Sequence, residues 1–94
     1  MKYQVKLKAP YDMTEADYMH CGNTLYEERF EGIKYAIIFD SFEEAKKACI
    51  QHGAYGIIDV DSDTLEYVWM NPDYKSKSFE ELRKKLGRIL LPRI

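Results

Sequence analysis

The sequence is poor in the features that usually betray a protein's chemistry. It holds two cysteines and two histidines, and its longest run of aliphatic and phenyl side chains is Ala36-Ile37-Ile38-Phe39. Each scarcity excludes something. Two cysteines cannot form a disulfide framework, so Cys21 and Cys49 read as free thiols. A four-residue apolar run falls far short of the roughly 20 residues needed to span a bilayer. The start, Met1 to Lys6, alternates polar and apolar residues and lacks the apolar core of a signal peptide, so a cytoplasmic protein is expected. The chain has no G-x-S-x-G, no P-loop and no G-x-G-x-x-G, the usual signatures of hydrolase elbows and nucleotide cradles.

What is present describes a small folded domain. Ninety-four residues make a single domain, 1–94, and 46% hydrophobic with 32% charged residues excludes a disordered chain. The net charge of −2 conceals an uneven layout. Residues 1–8 carry +3, residues 9–73 carry −10 and residues 74–94 carry +5. Such a layout makes either a bipolar surface that steers a charged partner or, as expected here, two basic ends folded back on an acidic middle. Tyrosine is the compositional outlier, with eight residues. It suits strands and also recognition surfaces, where it brings apolar area and a hydroxyl together. Tyr3, Tyr35 and Tyr67 fall in strand patterns. Tyr11, Tyr18, Tyr55 and Tyr74 fall in or beside loops, which makes them surface candidates.

Periodicity sets the element order. Residues 2–8 alternate as a half-buried strand that Pro10 ends. Thr14, with Asp17 three residues on, predicts a short capped helix that Gly22-Asn23 stops. Residues 25–30 and 33–39 predict a hairpin turning at Glu31-Gly32. Its second arm is apolar almost throughout, as in a central strand covered on both faces. Ser41-Phe42-Glu43-Glu44 is a capping box, and Gly53 ends the helix it opens. Residues 55–60 and 65–69 predict a second hairpin with a tip at Asp61-Ser62-Asp63-Thr64. The box returns as Ser78-Phe79-Glu80-Glu81, 37 residues after the first, and opens a second long helix. The resulting fold class is α+β: a mainly antiparallel sheet of about five strands, in β-ββα-ββα order, with two helices packed on one face.

The candidate chemistries are few. His20, Cys21, Cys49 and His52 are the only thiol and imidazole ligands. His20 and Cys21 are adjacent, a poor spacing for chelation, and no C-x₂-C pair exists, so no metal and no cofactor is expected. Cys49 lies on the apolar side of its helix and reads as a buried, inert thiol. Asp59-Val60-Asp61-Ser62-Asp63 opens like a calcium loop but continues with Thr64 where glycine is needed and Met70 where glutamate is needed. A turn explains those acids. Cys21 beside His20 is the one nucleophile–base pair in a loop, and an enzyme is not expected.

The main expectation is a non-enzymatic binding module that engages another protein, as a regulator or inhibitor. Its surface would be Tyr11, Asp12, Glu15, Asp17, Tyr18, Tyr26, Glu27 and Glu28, where tyrosine anchors and acids suit fast docking into a basic groove. The first alternative is nucleic-acid binding through Lys75, Lys77, Arg83, Lys84 and Arg88, set against a pI of 5.7. The second is a small enzyme or metal protein at His20, Cys21, Cys49 and His52. A homodimer is expected, because the apolar tail from Ile89 to Ile94 needs cover. In style the chain resembles accessory proteins of phages and other mobile elements, although no motif carries the resemblance.

Overall fold

The computed structural model describes residues 1–19, 21–62 and 66–76. Their elements run β1 (Tyr3–Lys6), α1 (Glu15–Met19), β2 (Tyr26–Glu28), β3 (Lys34–Ala36), α2 (Phe42–Gln51), β4 (Gly56–Asp59) and β5 (Tyr67–Met70). The second long helix expected from Ser78 lies outside the described residues. The fold is α+β with antiparallel strands, and the five strands form two sheets rather than one. The first has the order β1-β4-β5 and the second is the hairpin β2-β3.

The division follows from the edges of β1. One edge pairs with β4, Tyr3 opposite Asp59 and Val5 opposite Ile57. The other is shared by the two arms at the base of the β2–β3 hairpin. Tyr3 exchanges backbone hydrogen bonds with Phe39 in both directions, each 2.8 Å. Leu25 N–H donates to Val5 O at 2.8 Å, and Leu7 N–H donates to Asn23 O at 2.9 Å. Two segments share one four-residue edge, so neither can run along it. The hairpin pairs with itself instead, and residues 27–33 are all exposed. The expectation of a doubly covered second arm fails for the same reason: Tyr35 and Ile38 are 44% and 55% exposed.

The core lies between α2 and the first sheet. Residues opposite one another in an antiparallel pair share a face, so Tyr3, Val5, Ile57 and Trp69 point the same way. Against them α2 turns Ala45 and Cys49, four residues apart and both fully buried. Two small side chains at that spacing let the helix sit close to the sheet. Phe42 meets the Tyr3 ring edge-on at 5.7 Å, and the Lys46 ammonium lies 5.4 Å from the centre of the Trp69 ring. Val5 and Ile57 are fully buried, and each such side chain contributes about 1.5–3 kcal/mol. Ser41 caps α2 as the S-x-x-E box predicts, its hydroxyl accepting from Glu44 N–H. Gly56 lies against β5, where an added Cβ would stand 2.8 Å from Trp69 O, so only glycine fits.

Two buried asparagines tie the loops to this frame. Asn23 has a left-handed backbone (φ 66°), and its amide bonds the backbone of Lys8 in both directions, at 2.7 and 3.1 Å. The Lys6 ammonium closes the same turn by donating to Gly22 O and Thr24 Oγ1, and burial lowers its pKa from 10.5. Asn71 donates to Ala54 O at 2.8 Å and accepts from Asp73 N–H at 3.0 Å. In α1, Asp17 reaches back to Thr14 N–H at 2.8 Å, which is the carboxylate half of the expected capping box.

The N-terminal basic segment folds back on the acidic middle. Lys2 pairs with Asp40, Lys8 with Asp17, and the chain amine with Asp61. These exposed pairs contribute little stability individually. Their effect is to neutralise charge across the fold.

The two thiols occupy different surroundings. Cys49 is fully buried, donates to Ala54 O, and has its pKa pushed up to about 11 by burial. Cys21 is half-buried in a surface turn. A disulfide reagent at pH 8 should therefore modify one thiol of the native chain rapidly and the second only on unfolding. Equally fast modification of both would contradict this packing.

Candidate functional site

The β2–β3 hairpin is built to hold a projecting tip. Its register sets Tyr26 opposite Ala36, Glu27 opposite Tyr35 and Glu28 opposite Lys34. Glu31 and Gly32 both take positive φ, 56° and 75°, as the central pair of a type I′ turn requires. Glycine adopts that region freely, whereas a glutamate there stores strain of about 1–2 kcal/mol. Ile33 N–H donates to Phe30 O at 3.1 Å and Arg29 N–H to Ile33 O at 2.8 Å, which close the loop.

The hairpin's own cations brace its sides. Arg29 pairs with Glu27 and lies 5.0 Å from the centre of the Tyr35 ring. The Lys34 ammonium lies 5.0 Å from the centre of the Tyr26 ring. Glu28 and Glu31 are exposed and, among the described residues, make no side-chain hydrogen bond or ion pair. At the tip Phe30 is 86% exposed, and Ile33 beside it is 50% exposed. A phenyl ring this open forgoes about 2 kcal/mol of burial, so the position favours a side chain that is buried against something else.

The sequence-predicted binding residues divide into two groups. Tyr26, Glu27 and Glu28 lie on this hairpin. The remainder precede it. Tyr11 is 56% exposed on the 3-10 turn Pro10–Asp12, and Glu15 is exposed at the start of α1. Asp12 and Asp17 are engaged internally. Asp12 accepts from the Tyr74 hydroxyl and from Ser76 Oγ, while Asp17 holds Lys8 and Thr14. The backbone of Tyr18 lies in α1, and its side chain is outside the described residues. Phe30, Ile33 and Arg29 had no functional reading in the sequence. The one available signal was an aromatic residue directly before a Glu-Gly turn, where no strand partner can cover it.

The alternative sites fare differently. Cys49 and His52 do not converge, since Cys49 is inside the core and His52 is exposed beyond the end of α2. His20 lies outside the described residues. Among the described residues no group of three or more His, Cys, Asp or Glu side chains could hold a metal ion. The Asp59 carboxylate accepts from Asp61 N–H at 3.0 Å, the self-bonded turn expected of this acidic stretch. Of the basic set, Lys75 is exposed, and Lys77, Arg83, Lys84 and Arg88 lie outside the described residues. No helix among the described residues is long and apolar enough to cross a membrane.

The loop tyrosines do not all face outward. Tyr55 meets Tyr67 and Tyr74 edge-on, at 5.3 and 5.1 Å between ring centres. Tyr74 donates to Asp12 and accepts from Ala9 N–H. Burial and the bond to Asp12 push its pKa up to about 12. Comparison with protein-family models, with curated proteins and with solved structures finds no match.

Because the folded state raises this pKa, the neutral phenol is the stabilising form. Its contribution is complete below pH 10, the ordinary tyrosine value, and is lost as the pH rises to about 12. A spectroscopic titration of the tyrosines should show an ionisation near pH 12 that is absent in Tyr74→Phe. A profile unchanged by that substitution would contradict the assignment.

Proposed function

We propose that this chain is a non-enzymatic binding module that docks another protein through the β2–β3 hairpin, with Phe30 as its anchor. The observation that carries the reading is the 86% exposure of Phe30 on a tip held in place by its own turn and side-chain pairs. Energetic hot spots are aromatic residues that enter a partner's pocket with near-neutral contacts around them. Ile33 and Tyr35 supply adjoining apolar area, and Glu28 and Glu31 supply charge that speeds encounter with a basic surface. The braced hairpin lowers the ordering cost of binding. Tyr11 and Glu15 extend this surface only if the partner is broad enough to reach them. The two free thiols favour a cytoplasmic setting, where they stay reduced.

The test compares wild type with Phe30→Ala, first by capture from host lysate to identify the partner and then by direct titration. Phe30 is so exposed that its removal should leave the thermal midpoint unchanged. Affinity should fall by about 30-fold or more, a loss of about 2 kcal/mol or more. An identified partner that binds Phe30→Ala and wild type equally would exclude the hairpin as the docking element.

A further inference from the structure

A second feature is independent of the hairpin. A cleft of about 260 Å³ opens between four segments of the body. The stretch after β1 contributes Leu7 and Lys8, the 3-10 turn Asp12, the cap just after α2 His52, and the stretch after β5 Tyr74 and Lys75. Gly53, left-handed at φ 60°, turns the chain at the rim. The volume lies just below the range of about 300–1,000 Å³ typical of drug-sized ligands, so the cleft suits a smaller one.

The polar groups on its walls are not equivalent. Both Asp12 oxygens receive hydroxyl protons, one from Tyr74 and one from Ser76. The Tyr74 oxygen is used twice, toward Asp12 and from Ala9 N–H. Lys8 faces Asp17 at 3.1 Å. Among the described residues, His52 and Lys75 make no side-chain hydrogen bond or ion pair, and both are basic. Three of the last four carbonyls of α2, which would repel an anion, are satisfied internally. Ala48, Cys49 and Ile50 O accept from the N–H groups of His52, Ala54 and Gly53 at 2.9–3.1 Å. The uncommitted polar groups of the cleft are thus the Lys75 ammonium and the His52 imidazole, beside an apolar wall of Leu7 and the Tyr74 ring.

We propose that this cleft binds a small organic anion, a carboxylate or phosphate carried on an apolar or aromatic body. Lys75 and His52 meet the charged end, while Leu7 and the Tyr74 ring meet the body. Tyr74 is fixed by two hydrogen bonds and an edge-on contact with Tyr55, so the wall exists before the ligand arrives.

The experiment is an amide-resolved NMR titration of the full chain with phenyl phosphate, benzoate and inorganic phosphate. Saturable shifts should gather at residues 7–8, 12, 52–53 and 74–75 with phenyl phosphate, benzoate or both. The preferred probe identifies the head group. Inorganic phosphate, lacking the apolar body, should bind about tenfold more weakly than the preferred probe. Lys75→Ala and His52→Ala, both at exposed positions, should each weaken binding about tenfold, and Phe30→Ala should leave it unchanged. Shifts that fail to saturate with either aromatic probe, equal binding of inorganic phosphate, or unchanged affinity in both cleft variants would overturn the proposal.

Discussion

Everything in this fold hangs on the two edges of a four-residue strand. On one side β1 carries β4 and through it β5; on the other it carries both arms of the hairpin at their base. Hydrogen bonds from Tyr3, Val5 and Leu7 to residues 23–25 and 39 therefore fix where the hairpin leaves the body. The same strand places Tyr3 and Val5 beneath α2, so a single element organises both the core and the projection. A short strand can do this because buried backbone donors and acceptors are costly to leave unpaired.

Exposure separates the hairpin from the body. The body closes its loops with buried asparagines, a lysine over the left-handed turn and a tyrosine bonded to Asp12. Beyond its base, the hairpin is shaped by a strained turn and by cations laid on tyrosine rings. Those contacts shape the tip without burying it. A segment that is shaped yet uncovered is the feature from which the proposed binding module is argued.

Local signals in the sequence were legible where physics is local. The alternation of Tyr3 to Lys6, the Ser41–Glu44 cap, the Thr14–Asp17 pair and the Glu31-Gly32 turn each rest on residues a few positions apart. The sharing of β1's edge was not legible, because it depends on contacts between residues 3 and 39 that no periodicity encodes. Tyrosine content misled in the same way. Loop position suggested that Tyr55 and Tyr74 face outward, yet their rings pack on one another and Tyr74 bonds Asp12. Of the expected binding surface, Tyr26, Glu27 and Glu28 lie on the hairpin, but its most exposed ring, Phe30, reads in sequence as one more strand residue. The cleft was hidden too, since His52 and Lys75 are 23 positions apart and line one cleft only through the fold.

Native-state hydrogen exchange tests the central role of β1 most directly. The amides of Tyr3, Leu25 and Phe39 should exchange only through global unfolding, with protection that tracks total stability. The amides of residues 27–35 should exchange faster, through local opening of the hairpin. Fast exchange at Tyr3, Leu25 and Phe39, or hairpin amides as protected as these three, would contradict the account.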